Sequence, residues 1–303
     1  SSGLFWGSRW KKHDIRVEMI APVKGMVYDR AMKKLTTEYY RIELRKSGPG
    51  SGTLRFAFLT DLHSAEIGAD NEELLSALKR ERPDAVLCGG DMIVGKPGMS
   101  TETARSLMKQ LAEKYPVCHA LGNHEYRTRI YPENYPGIYE EYTEDLRNAG
   151  VRLLDNDRQT LRLKGIPVTV WGFTMDRWYY DRWKRRILPA EEIEKAFGGQ
   201  KPGEREVSIL LAHNPAQMDA YFQWGADVTL CGHYHGGVWR FGKHRGLISP
   251  DFRLFPRAHG LFRKDGRNVI ISAGLGEHTI PVRIHNPREL VILELSVKEN
   301  GKD

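Results

Sequence analysis

Five polar clusters follow one another along this chain: Asp61-Leu62-His63, Gly90-Asp91, Gly122-Asn123-His124-Glu125, His213, and Gly232-His233-Tyr234-His235. Together they offer enough carboxylate, amide and imidazole ligands to hold two divalent cations side by side. A pair of cations about 3.5–4 Å apart activates water and neutralises charge while a phosphate ester is attacked. Asp61 and His63 are two positions apart, and extended backbone points such side chains the same way, so both are expected at one ion. Asp91 can bridge two cations. Asn123 offers a carbonyl oxygen, and His213 and His233 offer ring nitrogens. His235, again at i+2 from His233, is expected to reach the opposite ion. Mixed oxygen and nitrogen ligands suit Mn, Fe or Zn better than Ca or Mg. Each cluster alone is commonplace, because a polar residue at a strand end is usually just hydrogen-bonded. The complete ordered set carries the reading.

The surrounding pattern supplies elements to position these groups. Apolar Leu54–Thr60 reads as a buried strand ending at Asp61, and Ala85–Cys88 as another ending at Gly89-Gly90-Asp91. Val117–Leu121 reads as a third, ending at Gly122-Asn123-His124. Helical stretches over 71–82 and 101–114 separate them, giving the strand–helix rhythm of a parallel α/β sheet. Ligands bind such sheets at the carboxyl ends of the strands, where these clusters fall. The second half is richer in strands. Thr160–Leu163 and Val168–Phe173 suit a hairpin turning near Lys164-Gly165, and Val207–Ala212 and Val228–Cys231 end at His213 and Gly232-His233. Val269–Ser272 and Leu290–Ser296 complete the set. Two sheets packed face to face with helices outside would use all of these.

At 303 residues the chain can bury a substantial core. The net charge of +7 is uneven, since residues 1–50 carry eleven Lys/Arg against five Asp/Glu and the remainder is almost neutral. The near-neutral body argues against a nucleic-acid groove, which is normally strongly basic. Cys88, Cys118 and Cys231 form no C-x-x-C pair and no disulfide framework. Cys88 and Cys231 read as small buried strand residues. No run of about 18 apolar residues marks a membrane span. Leu4-Phe5-Trp6 followed by Arg9, Trp10, Lys11 and Lys12 nevertheless looks like the interfacial flank of one. The expectation is that a natural N-terminal anchor precedes this arm. A helix-compatible stretch over 26–35, a strand-like run over 39–44 and the linker 47–52 complete the arm.

The pattern D-x-H, G-D, G-N-H-[DE], H, G-H-x-H has no missing member here. On it, the chain resembles the calcineurin-like metallophosphoesterases over roughly residues 54–296. It is most similar to their bacterial YkuE-like phosphodiesterase branch, and the closing stretch Gly274-Leu275-Gly276, Pro281-Val282-Arg283-Ile284, Asn286-Pro287 and Glu289-Leu290 is like that branch too. The resemblance implies a four-layer αββα sandwich of two mixed β-sheets flanked by helices. Residues 1–52 would be a basic arm and linker, and 53–303 the catalytic domain. It implies that Asp61, His63 and His235 hold one metal and Asn123, His213 and His233 the other, with Asp91 bridging. His124 would lie near the leaving oxygen as general acid or charge stabiliser, and Glu125 would orient that imidazole. Purple acid phosphatases carry Tyr three positions after the bridging Asp. Val94 stands there in this chain, which argues against an Fe(III)–Tyr site.

The expected cofactors are two divalent ions, Mn, Zn or Fe, with Mn favoured in vitro. The expected reaction is hydrolysis of a phosphodiester or pyrophosphate, with a phosphomonoester as the alternative and a lipid-linked or cell-envelope substrate favoured. Membrane association at a bacterial cell membrane is expected through the basic arm. A nuclease and a non-catalytic metal-binding scaffold are the competing readings. Trp171, Trp178, Tyr179, Tyr180, Trp183, Lys184, Arg185 and Arg186 mix aromatics with cations, as interfacial segments do. Phe252, Leu254, Phe255 and Phe262 with Arg253, Arg257 and Arg263 repeat that mixture. Either group could equally cap the core. His119 reads as packed within its strand, His244, His259 and His285 lack ligand spacing, and His278 is a candidate for the cleft wall.

Overall fold

The computed structural model describes residues 34–48, 50–181, 183–277 and 282–300. The chain begins with β1 (Leu35–Lys46) and β2 (Gly52–Leu59), then α1 (Glu72–Glu81), β3 (Ala85–Cys88), α2 (Glu102–Ala112) and β4 (Val117–Ala120). α3 (Asn123–Ile130), α4 (Ile138–Asn148), β5 (Arg152–Leu154), β6 (Asp157–Leu163) and β7 (Ile166–Phe173) follow. Next come α5 (Ala190–Ala196), β8 (Val207–Ala212), α6 (Met218–Trp224) and β9 (Val228–Cys231). β10 (Arg240–Phe241) and β11 (Arg245–Gly246) form a short ribbon before β12 (Gly260–Lys264), β13 (Arg267–Ile271) and β14 (Arg288–Glu299).

Two mixed six-stranded sheets result, in the orders β1-β14-β2-β3-β4-β5 and β12-β13-β9-β8-β7-β6. Strands β2, β3 and β4 run parallel, as do β7, β8 and β9. β8 and β9, apolar except for Ser208 and Thr229, are buried along their full length, as central parallel strands must be. Leu54, Phe56, Phe58 and Leu87 of one sheet meet Val168, Val170, Ile209 and Leu230 of the other in the shared core. The outer face of the first sheet is covered by α1, α2 and α4 through Leu74, Leu78, Leu107, Met108, Tyr142 and Leu146. α5 and α6 cover the second sheet through Ile193, Tyr221 and Trp224. Leu74, Ala77, Leu78 and Glu81 lie at helical spacing on the buried side of α1, which ends where Arg82 turns left-handed before Pro83. The four-layer sandwich is thus the observed architecture.

Several differences are instructive. The strand-like run 39–44, read as part of the arm, lies within β1 and pairs in parallel with β14, more than two hundred positions away. Its Ile42 and Leu44 face the core while Glu43 and Arg45 face outward. The short helices α3, α5 and α6, like the longer α4, lie where the sequence reading places no element. α3 is polar around its circumference, and α5 and α6 span only about two turns, so neither presents a periodic stripe. Trp171, grouped by sequence with the aromatic–basic segment, is a core residue of β7 packed edge-on against Phe197 and Trp224. Within the rest of that segment, Arg177–Tyr180 forms a short 3-10 turn.

The expectation of membrane association is corrected. Among the described residues no helix is long and apolar enough to cross a membrane. The aromatic–basic flank 4–12, most of the stretch 26–35, and His278 lie outside the described residues.

Candidate metal centre

Every cluster singled out by sequence lies at the carboxyl end of a parallel strand, and the two sheets bring these ends together. β2 leads to Asp61, β3 to Asp91, β4 to Asn123, β8 to His213 and β9 to His233. Main-chain bonds zip the loops edge to edge. Gly89 N–H donates to Leu59 O, Asp61 N–H to Gly90 O, His63 N–H to Asp91 O, and Gly232 N–H to His213 O.

The convergence of i and i+2 residues does not come from pleated strand. Asp61, His63, Asp91, His233 and His235 all have left-handed backbone, with φ between 46° and 67°. Each such residue costs about 1–2 kcal/mol relative to ordinary conformations, and clusters of them mark functional sites. Two glycines explain their fixed places in the motifs. A Cβ on Gly122 would run into the Asp91 carboxylate, and one on Gly232 would strike Asp61 and Thr60.

The carboxylates are hubs. Asp91 Oδ2 lies 3.0 Å from His213 Nε2, 3.9 Å from His124 Nε2 and 4.0 Å from His63 Nε2. Asp61 Oδ1 lies 3.2 Å from His235 Nε2, 3.8 Å from His213 Nε2 and 3.9 Å from His63 Nε2. Their remaining capacity anchors the backbone, since His124 N–H donates to Asp91 Oδ1 and His233 N–H donates to Asp61 across the two sheets. Burial opposes charge on Asp91, but His213, His124 and His63 hold its carboxyl well below the usual range. Burial is the main reason Asp61 is raised instead, with His213 offsetting part of it. For His213, burial works against protonation and is outweighed by Asp91 and Asp61, which push the ring up to about 10.

The donors fit a pair of divalent cations. Three groups of ligand atoms converge: Asp61, His63 and His235; His63, Asp91 and His124; and Asp91, His213 and His233. Asn123 Oδ1 is buried without a hydrogen-bond partner, an arrangement that costs about 1–3 kcal/mol unless something else satisfies it. His213 Nε2, despite lying 3.0 Å from Asp91, makes no aligned hydrogen bond. Its Nδ1 faces Gly89 O at 2.8 Å, so Nδ1 keeps its proton on that carbonyl, and Nε2 is the nitrogen that would give up its own proton to a cation at the centre. A ring held by a main-chain carbonyl through its far nitrogen is the usual habit of a metal-ligating histidine.

His124 is oriented differently. Its Nδ1 accepts from Gly95 N–H at 2.8 Å, so the neutral ring bears its proton on Nε2, the nitrogen facing Asp91. Burial keeps this imidazole below its ordinary pKa. Glu125 does not touch that ring, contrary to expectation. Its carboxylate accepts from the main-chain N–H groups of Asp91 (2.8 Å), Met92 (2.7 Å), Ile93 (3.3 Å) and Gly122 (3.0 Å). It locks the β3 loop to the β4 loop. Glu125→Gln should therefore leave two of these N–H groups facing an amide donor. We expect a loss of roughly 2–6 kcal/mol at about 1–3 kcal/mol per unsatisfied group, read as a lowered midpoint in urea unfolding.

Among the described residues, the other histidines belong to none of these ligand groups. His119 is fully buried and pairs with Tyr142. His259 Nε2 meets Glu289 Oε2 at 2.6 Å, and His244 Nδ1 lies 3.1 Å from His259 O. His285 is exposed. Sequence reasoning placed Tyr180 in the aromatic–basic segment and not at the centre, yet its ring stands edge-on 5.4 Å from His233. It also gave no role to Arg283 and Asn286, whose side chains bond to the backbone around the centre.

The Calcineurin-like phosphoesterase family model matches residues 54–237, more than half of the chain. The chain belongs to the calcineurin-like phosphoesterases. An uncharacterized metallophosphoesterase of Aquifex aeolicus is 26% identical over 88% of this chain and 94% of its own length. The phosphodiesterase YaeI of Escherichia coli is 24% identical over 73% of this chain and 75% of its own. The uncharacterized metallophosphoesterase YkuE of Bacillus subtilis is 22% identical over 79% and 76%. Membership makes this chain a phosphoester hydrolase with a candidate divalent-metal centre in the converging strand ends.

Proposed function

We propose that the chain is a two-metal phosphodiesterase, with Asp61, His63 and His235 holding one cation, Asn123, His213 and His233 the other, and Asp91 shared. The observation that carries this is the placement of Asp91 Oδ2 within 4.0 Å of three histidine nitrogens drawn from three loops. When bound, the ions would activate water and neutralise charge on phosphorus. The mixed ligand set favours Mn, Fe or Zn. His124 Nε2–H points toward the same carboxylate and is placed to donate to oxygen on the ester. Asp91 and Asp61 keep the ligating rings oriented, while Glu125 keeps Asp91 in place through its own N–H. The relative YaeI is a phosphodiesterase, which supports a diester over a monoester.

The substrate reading extends to a diester with an apolar portion. Trp178 and Trp183 are exposed on the segment that carries Tyr180, and Arg177 and Arg186 stack on Trp178, which suits an anion carrying an apolar group.

The deciding experiment compares bis(p-nitrophenyl) phosphate with p-nitrophenyl phosphate in the presence of Mn(II). Faster diester cleavage, abolished by chelator, is expected. Preference for the monoester would move the assignment to a phosphatase. A glycerophosphodiester with an acyl chain, compared with its deacylated form, tests the substrate reading, and equal rates would remove it.

A further inference from the structure

We infer that Arg283 and Asn286 are positioning residues for one half of the metal centre, the half built from Asp61, His63 and His235. The inference rests on the two-metal reading.

The problem these residues address is backbone strain. Left-handed backbone at Asp61, His63 and His235 persists only where neighbouring groups over-determine it. Their main-chain oxygens show what does so. Gly276 N–H donates to Asp61 O at 2.6 Å and Leu275 N–H to Thr60 O at 3.1 Å. The turn at 273–276 therefore rides directly on the ligand-bearing loop. It can approach that closely because glycine occupies two of its positions. A Cβ on Gly274 would crowd Asp61, and one on Gly276 would strike Leu62 O.

Arg283 holds that turn in shape. Its Nη2 donates to Ala273 O at 3.0 Å, to Gly274 O at 3.2 Å and to Gly276 O, while Nη1 reaches Pro287 O at 3.3 Å. A planar guanidinium can gather several carbonyls in this way, and an ammonium matches the geometry poorly. Burial lowers the Arg283 pKa to about 10, which leaves it charged at neutral pH. Glu289 adds to the grip, because its N–H donates to Gly274 O and its carboxylate accepts from Ala273 N–H.

Asn286 acts directly on a second ligand, His235. It is fully buried, and its Nδ2 donates to His235 O at 2.5 Å. It packs against Gly236, where a Cβ would collide with the amide. Asn286 thus grips the main-chain oxygen of one ligand, and Arg283 grips the turn that donates to the main-chain oxygen of another ligand of the same ion. The opposite half is held by other means. The His213 ring meets Gly89 O, and the loop carrying Asn123 is tied by Glu125 to Gly122 N–H.

The test is Mn(II) titration of the metal-free full chain by calorimetry, with metal content by elemental analysis. Wild type should bind two equivalents. Asn286→Asp keeps the shape but removes the donor, and Arg283→Met keeps the stem but removes the fork. Each should bind one equivalent normally and the other about 10–100-fold more weakly, the usual effect of losing an outer-sphere partner. Arg283→Lys should recover part of that loss. Equal weakening of both equivalents, with a matching fall in the melting temperature of the metal-free protein, would make these merely structural residues and overturn the inference. Two equivalents at wild-type affinity in both variants would overturn it as well. If Arg283→Met does not fold, Asn286→Asp decides alone. Wild type that binds no metal would refute the two-metal reading itself, a result distinct from these.

Discussion

Asp91→Asn is expected to abolish binding of both cations and to lower kcat/KM by roughly 10³-fold or more, a barrier increase of about 4 kcal/mol or more. The argument is geometric. Oδ1 is committed to His124 N–H, and Oδ2 alone faces His213, His124 and His63. An amide presents one oxygen, so it can keep the backbone bond or face the centre as an acceptor, but not both. It also removes the negative charge that would offset repulsion between two cations. The fold should survive, because Glu125 still holds the backbone of residue 91 through its N–H. Elemental analysis and a melting curve on the same preparation check this. A variant that retains two metals would show that Asp91 does not bridge. A variant that loses the metals together with its cooperative melt would show that Asp91 acts through the fold.

How far these residues could be read without the structure depends on what kind of fact each one is. The strand–helix rhythm was legible because β3, β8 and β9 are short apolar runs closed by glycine or histidine, and their bounds match the sequence pattern. The ligands were legible because residue type and order carry coordination chemistry. Their mode of convergence was not, since pleated and left-handed backbone both bring i and i+2 together and nothing in an Asp-x-His tells them apart. Long-range pairing was also hidden. Nothing local to residues 35–46 says that they will pair with β14. Glu125 shows a third limit. Its neighbour His124 suggested a side-chain partner, yet its four partners are main-chain N–H groups, which leave no mark on sequence. Arg283 and Asn286 are the same case, polar side chains whose partners are carbonyls.

The tautomer of His124 leads to the second large effect. His124→Asn is expected to leave metal content at two equivalents while kcat falls by about 10²–10³-fold, the typical cost of removing one donor aimed at developing charge. A general acid and a charge stabiliser would both produce such a loss, and the structure favours the second. Gly95 N–H points at Nδ1, so protonating that nitrogen would set two N–H groups against each other. Burial lowers the ring's pKa in the same direction. The ring is therefore neutral at neutral pH, and it presents Nε2–H as a hydrogen-bond donor without releasing the proton. The pH–rate profile separates the roles. A general acid contributes a descending limb at its own pKa, and that limb vanishes when the residue is replaced. A neutral donor contributes none, so wild type and His124→Asn should give parallel profiles offset by a constant factor. Loss of a limb in the variant would restore the general-acid role, and an unchanged rate would remove His124 from the chemistry altogether.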